Sequence, residues 1–318
     1  MALHNFSIFS KLVRFISNYN IIMFSGHNLI SFSQQFNSDQ SCYQYLADKK
    51  WKDESFCCSK CGGKSFHAGK KPFSRKCNNC QYDESPTANT LFHKVKFPLQ
   101  KAFYIVFMVS TGKKGISSYE LSRKIDLRQK TCWAFKAKVM EAMKSDQIID
   151  PLEGKVEVDE FVIGGAEKTI IGRQKGEKRL VVLGIERKGK GIARCYAKVI
   201  ESANSHELGA FFDDFIAKDA QITTDKWSGY KPLMEEFFNL KRIPSRYGLS
   251  FPDLHRQIMM IKSWIRGIHH HCRRLQAYLN EYCFRFNRHY NFDNIFDEVI
   301  DRMVNHPAVF YKILLKTD

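Results

Sequence analysis

Two C-x-x-C pairs, Cys58-Ser59-Lys60-Cys61 and Cys77-Asn78-Asn79-Cys80, stand 15 residues apart. Two residues between cysteines let a tight turn aim both thiolates at one ion, and two such knuckles complete a tetrahedron. The spacing predicts a small module stapled by structural Zn2+ on Cys58, Cys61, Cys77 and Cys80. Gly62-Gly63 follows the first knuckle, where such turns call for positive φ. Cys57 offers a competing register, but Cys58 has the right spacing. A pair of redox dithiols would not need two matched knuckles. A closed four-thiolate site is structural, so no catalysis is assigned to it. Nearby Lys64, Lys70, Lys71, Arg75 and Lys76 suit either phosphate contact or a solvated face.

The chain has 318 residues, enough for two or three domains and a sizeable core. Its 50 Lys and Arg against 33 Asp and Glu give a net charge of +17. That balance favours a phosphate backbone or an anionic membrane as partner. No apolar run approaches a membrane span, so nucleic acid is the better choice. Cysteine pairs read as metal ligands point to a reducing compartment. The first 22 residues faintly resemble a signal peptide but lack a clean cleavage site, and either Met1 or Met23 suits the true start.

The pattern along the chain changes twice. Residues 1–50 form an N-terminal extension, with a short helix over Ser41–Lys52, and 51–95 form the zinc module. A helical domain spans 96–150: an apolar helix over Leu99–Ser110, a break at Gly112-Lys113-Lys114-Gly115, a second helix capped by Ser117 and Glu120, and a third capped by Asp126. Three short helices fit a helix-turn-helix, or a plain helical linker. From Gly154 the periodicity becomes that of strands: Lys155–Phe161, Arg179–Arg187 and Ile192–Ile200 are β-branched runs, the last two joined by a Gly/Lys turn. A helix at Ser205–Ala217, a strand at Ala220–Thr224, a helix at Tyr230–Phe238 and helical sequence from His255 to Tyr290 follow. This order predicts an α/β layer with a mixed sheet over 151–295, then a helical tail over 296–318.

Within that layer, Val156-Glu157-Val158-Asp159-Glu160 carries carboxylates to a strand end before Gly164-Gly165. A second aspartate, Asp225, ends Gln221-Ile222-Thr223-Thr224-Asp225. Hard cations prefer oxygen ligands, and carboxylates converging from two strands can hold metal for phosphoryl transfer. Strand-end aspartates also commonly cap turns, and the sequence does not establish that the two strands are neighbours.

The surrounding residues resemble the zinc-ribbon insertion-sequence transposases of the ISXO2-like family. The resemblance runs from Trp51 to Asn291. It rests on the two knuckles, Ser85-Pro86-Thr87-Ala88-Asn89-Thr90-Leu91-Phe92-His93, Glu157-x-Asp159-Glu160 with Gly164-Gly165, and Thr224-Asp225-x-Trp227-Ser228-Gly229-Tyr230. Gln276-Ala277-Tyr278-Leu279-Asn280-Glu281-Tyr282 with Phe284-Arg285-Phe286-Asn287-Arg288 completes it. The resemblance implies an RNase H-like catalytic core behind the zinc ribbon and helical domain. It implies Mg2+ (or Mn2+) on Asp159 and Asp225, cleavage of transposon ends and joining of the 3′-hydroxyl to target DNA. Lys262 stands where the family has its lysine and is expected to hold a phosphate or the leaving oxygen. The family's third ligand, Asn or Glu, falls at Met260, and a thioether is a poor ligand for magnesium. Gln257 and His255 are the nearest polar substitutes, with Asp253 and Glu281 as weaker ones.

Residues 226–290 hold 12 Lys and Arg against 4 Asp and Glu. Arg256, Arg266, Arg273, Arg274, Arg285 and Arg288 are expected to bind DNA through phosphate-matching guanidinium forks. His269-His270-His271 suits DNA or structural contacts better than a second zinc, because consecutive helical residues do not share a face. The expected partner is double-stranded DNA, with a homo-oligomer bringing two ends together and no membrane. The expected location is the cytoplasm of a prokaryotic cell, at the nucleoid. Two other readings stay open: a catalytically impaired relic that only binds DNA, and a zinc-ribbon transcriptional regulator.

Overall fold

In the computed structural model, the described residues are 23–26, 28–52, 55–144, 150–164, 178–269 and 273–314. Three layers of sequence give three bodies. Helices α1 (Leu29–Gln35) and α2 (Asp39–Lys50) come first. The zinc module follows as three short antiparallel strands, β1 (Phe66–Ala68), β2 (Arg75–Cys77) and β3 (Asp83–Glu84). Next come α3 (Leu99–Thr111), α4 (Ser118–Ile125) and α5 (Gln129–Ala142).

Ser117 caps α4 as expected, its side chain accepting from the Glu120 N–H at 3.1 Å. Asp126 does not cap the third helix. It ends α4 in a left-handed conformation (φ +50°), and α5 starts at Gln129. Within the N-terminal extension, the described residues from Met23 onward pack into the helical domain. Phe24, Phe32 and Phe36 are buried against Phe103, Phe107 and Phe296 in one aromatic core. The last of these rings comes from α9 (Ile295–Asn305), far downstream. The segment expected as a tail therefore returns to the helical domain and buries Phe296, Val299, Ile300 and Met303 there.

The α/β layer is a five-stranded mixed sheet. Its strands are β4 (Lys155–Ile163), β5 (Arg179–Lys188), β6 (Gly191–Ile200), β7 (Gln221–Thr224) and β8 (Lys241–Arg242), in the order β6-β5-β4-β7-β8. The pairs β4/β5 and β5/β6 are antiparallel, whereas β4/β7 and β7/β8 are parallel. This is the RNase H-like mixed sheet. Helix α6 (Ser205–Phe215) covers one face, burying Leu208, Phe211 and Phe212 against Val156, Val158 and Ile222. Helices α7 (Pro252–Ile268) and α8 (Leu275–Phe286) cover the other, where Leu254, Ile258 and Ile261 meet Phe161, Val181 and Leu183. The helix expected at Tyr230–Phe238 is instead two 3-10 turns, Ser228–Tyr230 and Pro232–Glu235. Pro232 has no N–H to continue a helix through that point. A final short helix, α10, spans Tyr311–Leu314.

Candidate active site and zinc module

Asp159 lies in the middle of β4 rather than at its end. What ends at its level is the parallel neighbour: Val158 pairs with Thr224, the last residue of β7, so Asp159 and Asp225 come next side by side. Side chains alternate along a strand. Val156, Val158 and Ile222 face α6, whereas Phe161 faces α7. Glu157, Asp159 and Asp225 therefore share the α7 face, and Glu160 points the other way. Register and alternation together put two aspartates from separate strands at one place.

Each aspartate is locally oriented. Asp159 Oδ1 accepts from the Glu160 N–H at 2.8 Å. Asp225 Oδ1 accepts from the Trp227 N–H at 2.8 Å, so the loop after β7 turns around its own carboxylate. That loop is anchored three ways. Trp227 Nε1–H donates to the Ala203 carbonyl at 2.7 Å, Arg242 donates to the Trp227 carbonyl at 3.0 Å, and the Tyr230 hydroxyl donates to Glu160 Oε2 at 2.8 Å. Tyr230 is fully buried. Burial pushes its phenol well above the ordinary value, and the charges of Glu160, Asp159 and Asp225 push in the same direction. It stays a neutral donor. Gly229 leaves room for the turn: a Cβ there would lie 2.5 Å from the Ala203 carbonyl oxygen.

Helix α7 closes the site from above. His255 Nε2 lies 3.7 Å from Asp159 Oδ2. Asp253 is held by Arg187 at 2.8 Å, which also binds Glu157 at 2.9 Å. Burial raises the Glu157 carboxyl above its ordinary range despite that guanidinium. Lys262 faces the same sheet surface, its Nζ 5.4 Å from the Phe161 ring. Desolvation lowers its ammonium pKa, and the charges of Arg266 and Lys178 lower it further.

Of the substitutes for a third ligand, His255 is placed beside Asp159. Gln257 is buried and donates to the Tyr282 hydroxyl at 3.2 Å. Glu281 is buried between Lys136 and Arg285. Met260 is half-exposed and lies about 140° around α7 from His255, five residues on.

The expected DNA-contact arginines divide in two. Arg256, Arg266 and Arg273 are exposed, and Arg274 is half-buried. Arg285 is not a surface group: only 7% of its side chain is exposed, and it donates to the Lys113 carbonyl at 3.1 Å. Arg288 is engaged by both oxygens of Glu298 at 2.6 Å and stacks over Phe284. Within the fold these two guanidinium groups are largely committed to partners of the chain itself, unlike the exposed ones. His269 stacks on Tyr278, with ring centroids 3.9 Å apart, and packs the core; His270 and His271 lie outside the described residues.

The four cysteines converge. Their sulfurs all lie within 4.8 Å of one another, with Cys58–Cys80 and Cys61–Cys77 at 3.6 Å. Zinc–sulfur bonds of about 2.3 Å imply tetrahedral edges of about 3.8 Å, so the donor set fits Zn2+. Backbone N–H groups of Cys80 and Asn79 lower the Cys77 thiol, whereas the neighbouring thiols raise that of Cys61, so the cluster loses its first proton at Cys77. Cys57 stands outside the cluster, exposed. Gly62 takes the positive φ (+72°), while Gly63 is needed for space: a Cβ would lie 3.1 Å from Cys77 Sγ. Arg75 is packed over the rings of Phe66 and Trp51, at 4.1 and 4.8 Å, and so serves the module's own packing.

Among the described residues no helix is long and apolar enough to cross a membrane. Residues 151–287 match the family model described as the ISXO2-like transposase domain. Among solved structures, the chain is similar to one in a crystal structure of a pre-cleavage Mos1 transpososome. That similarity has 11% identity and a TM-score of 0.27, and covers 62% of this chain and 76% of that one. No match is found among curated proteins. The strand order, the paired aspartates and the family match fall in one segment, and that segment, residues 151–287, is similar to the ISXO2-like transposase domain.

Proposed function

We propose that this protein binds double-stranded DNA and catalyses metal-dependent phosphodiester cleavage and strand transfer, with Asp159 and Asp225 as the metal-holding carboxylates. The observation that carries the reading is their side-by-side placement on one face of the β4/β7 pair, inside the family-matched segment. Two carboxylates from adjacent strands are the oxygen donors that Mg2+ or Mn2+ prefers. When bound there, such a cation supplies an activated attacking oxygen and stabilises the leaving oxygen. Around it, the chain orients its carboxylates through the Glu160 and Trp227 N–H groups. Lys262 presents a partly desolvated ammonium to a phosphate, where it acts more strongly than in water. The exposed guanidinium groups of Arg256, Arg266 and Arg273, with the half-buried Arg274, bind backbone phosphates, with the zinc ribbon and helices α3–α5 reading the element's ends. A homo-oligomer pairs two ends, and the work is done at the nucleoid of a prokaryotic cell.

A second reading is a DNA-binding relic. It is favoured by one observation: the third-ligand position is an exposed thioether, Met260. One experiment addresses both. Wild type, Asp159→Asn, Asp225→Asn and Met260→Asn are incubated with Mg2+ or Mn2+ and DNA carrying the gene's flanking inverted repeats. Wild-type cleavage, its loss by at least a hundredfold in either aspartate variant, and unchanged DNA affinity are expected. Wild type that behaves like Asp159→Asn sinks the catalytic reading. If Met260→Asn alone then cuts, the relic reading is correct.

A further inference from the structure

The loop joining β8 to α7 carries side chains that the fold does not use. It leaves the sheet beside the candidate site: the Ile243 N–H still donates to the Thr224 carbonyl at 2.9 Å, one residue before Asp225. The loop then folds back on itself. The N–H groups of Gly248 and Ser250 both donate to the Ser245 carbonyl, at 3.0 and 3.2 Å, and the Phe251 N–H donates to the Gly248 carbonyl at 3.1 Å. Three consecutive residues take left-handed φ: Arg246 at +49°, Tyr247 at +58° and Gly248 at +89°. Glycine is required at the third for a second reason, because a Cβ there would lie 2.9 Å from the His255 ring. Arg246 and Tyr247 gain nothing from that backbone conformation, which persists only where the surroundings impose it.

The outcome is a tight projection whose base rests on His255, itself 3.7 Å from Asp159. At its tip the Tyr247 side chain is as exposed as in an extended peptide (106%), Leu249 is 80% exposed and Arg246 is exposed beside them. An aromatic ring held in water at that place has no packing role. A flat ring next to a guanidinium, on a basic chain, matches an unpaired nucleobase and its phosphate.

We propose that Tyr247 is a stacking residue: its ring lies against an unpaired base of the DNA strand held at Asp159 and Asp225, with Arg246 on the adjoining phosphate. The inference rests on the nucleic-acid reading of that site. Base–aromatic stacking is worth about 1–3 kcal/mol per base, or about 5- to 150-fold in affinity, and it tolerates any base. The projection therefore favours splayed DNA over intact duplex without adding sequence preference.

The test uses the full-length protein in buffer without added Mg2+. Two probes of one sequence are compared: a blunt duplex, and a fork with 2-aminopurine in its unpaired arm. Wild type is expected to prefer the fork about tenfold and to change the 2-aminopurine fluorescence. Tyr247→Ala should lose both effects while binding the blunt duplex as before, and Tyr247→Phe and Tyr247→Trp should keep them. Tyr247→Ala with wild-type preference and fluorescence overturns the assignment. So does an alanine variant that changes the subunit count in light scattering but leaves fork preference intact, because the tip is then a contact between copies. Cleavage with Mg2+ is scored separately. Tyr247-dependent fork binding without any cleavage leaves stacking standing and removes the nuclease reading; cleavage without Tyr247 dependence does the reverse. Wild type that binds neither probe overturns both.

Discussion

Arg285 and Arg288 are three residues apart on the same stretch of chain, and their neighbours decide what each guanidinium does. Arg285 fills backbone carbonyls at the Gly112–Lys113 break, and Arg288 takes both oxygens of Glu298. Burial alone would raise the Glu298 carboxyl, but the hydrogen bonds and charge of Arg288, reinforced by Arg302, outweigh it and hold it below its ordinary value of 4.5. A folded-state value below the unfolded one means that the carboxylate stabilises the fold above pH 4.5, and that this contribution is lost as pH falls through the depressed folded value. Thermal unfolding followed from pH 7 to pH 3 should show Glu298→Gln melting below wild type at neutral pH, with the gap closing under acid. A gap independent of pH would mean that the bridge contributes packing and not charge. The same residue-scale contrast applies to Tyr230, whose hydroxyl ties the Asp225 loop to Glu160 across the strand from Asp159.

Elements differ in what holds them. The sheet has a core on both faces, whereas β1, β2 and β3 are two or three residues each and share a small cluster of Trp51, Phe56, Cys58 and Cys77. So few buried side chains do little to offset the entropy of ordering the module, and a metal on the four cysteines would supply the difference. Removing zinc with a chelator, or replacing Cys77 by Ser, is expected to expose the segment between Trp51 and Ser85 to protease within minutes. The 151–287 domain should resist under the same conditions. Limited proteolysis read by mass spectrometry checks this, and equal resistance of both segments without metal would show that the module folds on its own. Helix α5 begins at Gln129, and not at the aspartate three residues earlier, for a similar local reason. Asp126 closes α4 by accepting a left-handed backbone, a conformation that short polar side chains tolerate.

Across the whole molecule, the helical and α/β bodies meet through a buried charge cluster. Lys136 of α5 lies 3.2 Å from Glu281 of α8, whose other oxygen faces Arg285 at 3.5 Å; Glu281 is fully buried. Trp264 Nε1–H donates to the Lys114 carbonyl at 2.9 Å across the same boundary. Breaking a buried pair by removing one partner typically costs about 3–5 kcal/mol, because the other charge is left uncompensated. Glu281→Leu alone is therefore expected to destabilise strongly and to split calorimetric unfolding into two transitions. Adding Lys136→Met should recover much of the loss. A single, unshifted transition in Glu281→Leu would show that the cluster does not couple the bodies. The return of α9 to the aromatic core under Phe24, Phe32 and Phe36 ties chain ends to chain middle in the same manner.

Much of this was readable before any fold was known. The two knuckles specify their own metal geometry, because ligand spacing within a turn is a local property. β-branched runs and the glycine-bearing breaks located most strands and helices, and the two aspartates stood out against a basic background. Local pattern could not say that β4 and β7 are parallel neighbours. Only the pairing of Val158 with Thr224 brings Asp159 level with Asp225. Nor could it separate arginines that face water from those filled by a carbonyl or a carboxylate, since the residue type is the same in both settings. The approach of His255 to Asp159, the exposure of Met260 and the projection of Tyr247 all follow from how α7 and its leading loop lie on the sheet. The sequence by itself determined which four cysteines cluster, most of the element types and the chemistry on offer, which depend on contacts between near neighbours. The tertiary structure decided which carboxylates meet and which cations remain at the surface, because those depend on strand register and on how separate elements pack.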